Sequence, residues 1–510
     1  MLAEPTPTPP TSHAAEYPLY LPLISRGIVA QGANVDFDAP DFDAAVDNGV
    51  AEPTTEEISE ETTAEDELYT SFDPTELEQL NAAALDGSAG TIASSEDYRA
   101  LGYPDGRKIV RNSQGDLYVA YRKKRNNRYR IFVAESTDNG TTWQPLGNSP
   151  IEDVGDYTQR VPALAIDAQD RLHLVWYGND AQNGDPQNIS NEREIKYSRS
   201  TPTTAATIHW TPWRNLYDGQ GYGGERLWQE HPTITVWQEN IYVVWESVER
   251  GLGEIKYIFS DSGGDTWQAV VTVQPSTQLY FSRPTLQTTT VNGKITLFLV
   301  AYGTKAGIAR LYYSRSDDNG ANWSKWVAVA SAKADQRHAS LAVDGAGKIH
   351  IVWRQVQGKT TILRYRVYDP AKRRGKGSWD GGARTIAAVR RTCLYFPTIA
   401  ISGNGTAWVV WTQSSDLTTL PNDEPTTGQL FMATAAAGQS RWSKPMALTT
   451  AGEHLYGSLR RATPPTAMDT TIDLVWLDRS ASPVDEMGQV TCAADSCVLR
   501  YARLNDTNNE

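Results

Sequence analysis

Ser136-Thr137-Asp138-Asn139-Gly140-Thr141-Thr142-Trp143 is the stretch on which the fold turns. Short Ser and Asp side chains accept hydrogen bonds from turn amides, and Asn-Gly supplies backbone with φ > 0. The closing Trp staples the hairpin to its sheet. The same spacing returns as Ser316-Asp317-Asp318-Asn319-Gly320-Ala321-Asn322-Trp323. A worn copy, Ser260-Asp261-Ser262-Gly263-Gly264-Asp265-Thr266-Trp267, has Ser262 where the aspartate should be.

From about residue 105 the whole chain repeats around these hairpins. Each unit opens with a short apolar strand, often led by Pro, and its second strand ends in Trp or Tyr. Val161-Pro162-Ala163-Leu164-Ala165-Ile166 leads to Leu172-His173-Leu174-Val175-Trp176, and Phe396-Pro397-Thr398-Ile399 leads to Ala407-Trp408-Val409-Val410-Trp411. Seven such units fit into roughly 400 residues, about 57 each. Short strands at regular spacing predict an all-β chain, a β-propeller of four-stranded blades. Seven repeats are counted, with six as the alternative. Most of the 16 Trp residues then close blades or staple hairpins rather than touch a ligand.

The first 98 residues read differently, as an extended acidic N-terminal arm before a propeller spanning 99–510. Residues 27–98 hold 19 Asp and Glu and no Lys or Arg, whereas residues 99–510 carry a net charge of +6. Such a segment cannot bury a core of its own. Residues 73–85 predict one short helix, with Asp73 as N-cap and Pro74 as its first residue. Asp36, Asp38, Asp41 and Asp43 offer calcium ligands, but their spacing is not that of an EF-hand loop and no glutamate closes it. No other metal or cofactor is expected. The body shows no basic helix or concentrated Lys/Arg patch, which argues against nucleic acid. No apolar run reaches the length of a membrane helix.

Cys492 and Cys497 flank Ala-Ala-Asp-Ser, a hairpin-like spacing that suits a local disulfide. Cys393 is left over and reads as a small buried hydrophobe.

The recurring hairpin resembles the Asp box, Ser-x-Asp-x-Gly-x-x-Trp, of the sialidase-type β-propellers. Its positions here are Ser136, Asp138, Gly140 and Trp143, then Ser316, Asp318, Gly320 and Trp323. Propellers of that family have six blades, so a count of seven departs from it. The resemblance implies that first-strand starts and second-strand ends share one functional face, with the Asp boxes on the other. By that rule one mouth gathers Arg107, Arg160, Glu230, His231, Arg283, Arg337, His338, Tyr395, Tyr456, Arg460 and Arg461 from first strands. Second strands add Arg122, Tyr177, Asn179, Asp180, Glu246, Glu249, Arg354, Asp478 and Arg479.

A sialidase grips the substrate carboxylate with three arginines, attacks with a Tyr activated by Glu, and uses an Asp as acid/base. Arg160-Val161-Pro162 is similar to the family's Arg-Ile-Pro motif, and Arg283 and Arg337 would complete the triad. Tyr395 or Tyr456 would be the nucleophile, Glu230 or Glu246 its partner, and Asp180 or Asp185 the acid. The plain reading makes the arginines a salt-bridged rim, Tyr395 a core residue beside Phe396, and Asp180 and Asp185 surface residues of a polar loop.

The Thr/Pro tract Glu4 to Pro10 looks like the stalks of exported bacterial surface proteins, which points to an extracellular or cell-surface location. Beside it, Tyr17, Leu19, Tyr20, Leu21, Leu23 and Ile24 form an apolar stretch broken by prolines, suited to an edge or a docking segment. The leading expectation is thus an exported, non-catalytic propeller acting in cell-surface adhesion or self-assembly through its arm. The alternatives are an exo-sialidase-type glycoside hydrolase and a lectin-like, glycan-binding propeller.

Overall fold

A computed structural model describes residues 89–103, 106–125, 128–146, 159–178, 193–217, 228–249, 251–415, 427–439, 441–460, 471–482 and 496–505, together with 50–51, 425 and 492. Tyr17 to Ile24, Asp36 to Asp43 and the expected helix at 73–85 lie outside the described residues.

The described chain is all-β, with seven sheets in a ring, so the count is seven blades rather than six. The first blade comprises Ile109–Arg111, Leu117–Arg125, Arg128–Ser136 and Gln144–Pro145, in that order from the axis outward. The second runs from Gln159–Ile166 to Arg214–Tyr217, the third from Trp228–Trp237 to Val271–Thr272, and the fourth from Tyr280–Val291 to Trp326–Ala328. The fifth begins at Asp335–Val343 and adds an extra strand, Arg384–Arg390, to its third strand Thr360–Asp369. Cys393–Ile401 opens the sixth blade and His454–Leu459 the seventh. The outermost strand of the seventh is Gly90–Ser95, paired with Cys497–Asn505. Those residues read as arm in the sequence. In the fold they clasp the ring, because the last blade takes its fourth strand from the start of the chain. Val50–Ala51 also meets a blade edge, pairing in parallel with Trp326 and Val327 of the fourth blade.

The Asp boxes form as their residues dictate. Ser136 Oγ accepts from Gly140 N–H at 2.8 Å, and Asp138 accepts from Thr142 N–H at 2.9 Å. Ser316 and Asp318 repeat this at 2.9 Å each. In the worn copy Ser262 Oγ takes the aspartate's place and accepts from Thr266 N–H at 2.8 Å. The Trp does something other than staple its own sheet. Trp143 lies edge-on against Tyr501, Trp267 against Tyr197 and Trp323 against Tyr257, at 5.4, 4.9 and 5.3 Å between ring centres. Each Tyr sits on the third strand of the preceding blade, so each hairpin bolts two blades together. Such pairs contribute about 0.5–1.5 kcal/mol beyond the area they bury. The box glycine is required twice over. Gly320 has φ +82°, and a Cβ there would stand 2.1 Å from the ring of Tyr257.

The ring closes where the seventh blade meets the first. Asp473, with no exposed surface, accepts from Arg111 Nη2 at 2.8 Å, Arg460 Nε at 2.6 Å and the Tyr501 hydroxyl at 2.7 Å. Arg111 belongs to the first blade and the other three residues to the seventh. Cys492 and Cys497 are joined in a disulfide, with Cα atoms 5.2 Å apart, and Cys393 is free and buried.

Candidate anion-binding mouth

Strand direction sorts the turns. Inner strands start at one rim, and second strands return to it. Third strands then run away to the Asp-box hairpins at the opposite rim. Six inner strands carry a β-bulge at their mouth end, where the register slips. At each slip one residue is left-handed: Val161, His231, Arg283, His338, Phe396 and Tyr456, with φ between 38° and 57°. In four of them Pro follows, and Pro, having no N–H, drops out of a ladder most cheaply at a bulge. The bulge re-aims the side chain that precedes it.

Four of these side chains surround one residue. Tyr103 is 7% exposed. The Arg283 guanidinium lies 3.7 Å over its ring, and His231, Phe396 and Tyr456 meet it at 5.3, 5.7 and 6.4 Å between ring centres. Gly102 fits against Val161, and His338 stacks on Phe396 at 4.5 Å. The segment from Glu96 to Tyr103 thus crosses from the outer edge of the seventh blade to the axis and closes it. Ala100 and Leu101 are buried beneath, and Ala100 O accepts from Arg122 N–H at 2.7 Å.

The mouth is electrically lopsided. Around His231 stand Arg283, Arg193, Lys108 and Arg99. Burial first, and then these four cations, hold His231 well below the usual histidine value, so it is neutral at neutral pH. Its Nδ1 has no hydrogen-bond partner among the described residues, and Nε2 is 3.8 Å from Glu230. Arg160 lies by Tyr177, Arg122, Arg99 and Asp97, and burial draws it below the usual arginine value. The carboxylates nearby are occupied. Asp97 pairs with Arg122, Glu230 with Arg193, and Glu246 accepts from the Arg283 backbone N–H at 3.1 Å. Across the axis the fifth to seventh blades present the aromatic stack of His338, Phe396 and Tyr456 instead.

The candidate residues are therefore distributed as follows. Arg160 and Arg283 face the cationic sector, joined through Tyr177 and His231, whose rings lie 5.9 Å apart. Arg337 is held by Asp335 at 2.8 Å and lies over Tyr302. Tyr395 is fully buried against Phe396, with Arg354 over its ring at 5.2 Å. Glu230 is at the mouth, already paired. Asp180 and Asp185 lie outside the described residues. Sequence reasoning missed Tyr103, Asp97, Arg99, Lys108 and Arg193. An aromatic set in Gly-Tyr-Pro-Asp-Gly, just before the first blade, is the signal that marks Tyr103.

Among the described residues no group of three or more His, Cys, Asp or Glu stands together to hold a metal, and no helix is long and apolar enough to cross a membrane. What the described mouth can do is hold an anion. Partly accessible guanidinium groups converge, their counter-charges are taken up, and the tyrosines flank them.

No protein-family model matches the chain, and no curated protein matches it. Among solved structures it is similar to a polysaccharide lyase of family PL25, an ulvan lyase, with a TM-score of 0.51 and 12% identity over 81% of this chain and 95% of that one. A protein of unknown function from Dyadobacter fermentans gives a TM-score of 0.43 with 13% identity over 82% and 98%. The NanB sialidase of Streptococcus pneumoniae gives 0.39 with 14% identity over 83% and 71%. These likenesses are of fold.

Proposed function

We propose that this chain recognises acidic glycans at the cationic sector of its mouth. The observation that supports this is the convergence of Arg99, Lys108, Arg193 and Arg283 around a neutral, buried His231, with Arg160 beside Arg99 and Glu230 paired with Arg193. A planar guanidinium suits the carboxylate of a uronic or sialic acid, and the tyrosines suit the body of a sugar. The geometry favours binding over sialidase-type hydrolysis. That mechanism asks for an accessible Tyr and an unengaged carboxylate, whereas Tyr395 is buried and Asp97, Glu230 and Glu246 are held. The test is calorimetry with sialylated, uronate-containing and neutral oligosaccharides. Acidic sugars should bind, more weakly as salt rises, and neutral ones should not. Equal binding of both, or of neither, overturns the reading.

A second reading, cleavage of an acidic polysaccharide, is favoured by the likeness to the ulvan lyase. Incubation with uronate-containing polysaccharides separates it, since either new reducing ends or unsaturated products would establish turnover. A third reading is arm-mediated assembly on a cell surface; within the chain itself Val50–Ala51 already lies on the outer edge of the fourth blade. Its check is the mass in solution of the full chain against a variant lacking residues 1–35. Two monomers end that idea.

A further inference from the structure

The axis is closed by Tyr103, so a chain of sugars held at the mouth has to leave sideways, over a blade rim. One rim is apolar. The large hydrophobic side chains most exposed among the described residues are Leu252 (42%), Tyr280 (38%) and Ile308 (51%). All three stand at mouth-side ends of strands in two adjacent blades, the third and the fourth. Tyr280 lies against Gly253: a Cβ built on that glycine would meet three ring atoms at 2.6–2.7 Å. One side of the ring is therefore seated on backbone, and its exposure belongs to the other side. Leu252 precedes Gly253. On the far side Tyr280 pairs with Thr304, and Thr304 with Ala309, next to Ile308. Strand alternation turns Leu252 and Ile308 to the opposite faces of their sheets from Gly253 and Ala309, so Tyr280 and its Gly253 seat stand on this seam by themselves.

Tyr280 is continuous with the cationic sector. Tyr280 and Arg283 share the inner strand of the fourth blade, roughly 10 Å apart along it. A flat ring supported from behind loses little freedom when its open face is covered, and the C–H face of a pyranose is flat and apolar.

We propose that Tyr280 is a stacking platform for an uncharged face of an acidic oligosaccharide whose carboxylate is held in the Arg283 sector. The site then reads an internal stretch of polymer rather than a single terminal sugar. This rests on the acidic-glycan reading above and adds chain length to it.

The experiment is calorimetry on the full chain with galacturonic acid and its di- to tetrasaccharides, beside sialylated and sulfated oligosaccharides. Affinity should rise from monosaccharide to trisaccharide. Tyr280→Ala should weaken the oligosaccharides about two- to tenfold and leave the monosaccharide unchanged, while Tyr280→Phe should keep the gain. Thermal unfolding of both variants confirms that the blade is intact. Affinity independent of length, or oligosaccharide binding untouched by Tyr280→Ala, overturns the platform alone. Binding of none of these acidic saccharides overturns the mouth reading and the platform with it.

Discussion

Asp473→Asn tests whether the ring is held shut by charge at its last seam. The carboxylate is wholly buried and receives hydrogen bonds from Arg111, Arg460 and Tyr501. Asparagine keeps one acceptor and the volume but leaves two guanidinium groups in the interior without their counter-charge. Removing one partner of a buried ion pair costs about 3–5 kcal/mol, and here the loss falls on the contact between the first and seventh blades. Hydrogen exchange by mass spectrometry is the sharper assay, because the effect should be local. Amides of Thr471–Asp478 and Cys497–Asn505 should exchange about 10²- to 10³-fold faster, while those of Lys294–Lys305, across the ring, stay nearly as they were. The burial of Asp473 opposes its charge, but Arg460 and Arg111 outweigh it and hold the carboxyl below its usual value. A carboxyl lowered in the folded state stabilises above its unfolded pKa of about 3.9 and loses that stabilisation as pH falls through the folded value. The gap between native protein and variant should thus persist from neutral pH to about pH 4 and shrink below it. Unchanged exchange at the seam, or an equal rise in every blade, would refute the reasoning.

Three other outcomes are expected. Gly320→Ala should cost about 2–5 kcal/mol in urea unfolding, from left-handed strain and the clash with Tyr257; Gly293→Ala, with φ +76° in open space, should cost only about 1–2. Arg283→Ala should weaken acidic-glycan binding and lower its salt dependence while leaving the unfolding midpoint little changed; a lost midpoint with intact binding would reverse its assignment. His231 and His173 are both held below the usual histidine value, chiefly by burial. The unfolded chain therefore takes up protons that the fold refuses, and stability should fall as pH drops below about 6.5. His231→Asn should narrow that fall, and a parallel loss in both proteins would show that His231 does not contribute.

The parts of the molecule that are written locally were readable in the sequence. A Ser, an Asp, a Gly and a Trp within eight residues make their own hairpin, and Pro-led strands ending in Trp count out the blades. What depends on residues far apart was not. Gly90-Thr91-Ile92-Ala93-Ser94-Ser95 has no aromatic and sits in acidic sequence, so it reads as arm, although Cys497–Asn505 recruits it as a strand. The same holds for the partner of each hairpin Trp, a Tyr that belongs to the blade before it. The mouth was legible as a collection of Arg, Tyr and carboxylates. Its charge balance was not, because Asp97 neutralises Arg122 and Glu230 neutralises Arg193 across breaks of tens of residues. Left-handed backbone before Pro runs against local preference, so nothing in Glu230-His231-Pro232 announces that His231 points to the axis.

The bolt between Tyr257 and the Gly320–Trp323 hairpin changes what the modular piece of this molecule is. The tyrosine stands on one blade and the indole on the next, so exchanging whole blades by cutting between them would strand a tyrosine on one side and an indole on the other. Because Tyr257 and Trp323 lie a full repeat apart along the chain, a cut in the middle of a sheet parts a pair just as a cut at the gap does. A grafted blade therefore has to bring both a Trp hairpin for the tyrosine before it and a tyrosine for the hairpin after it.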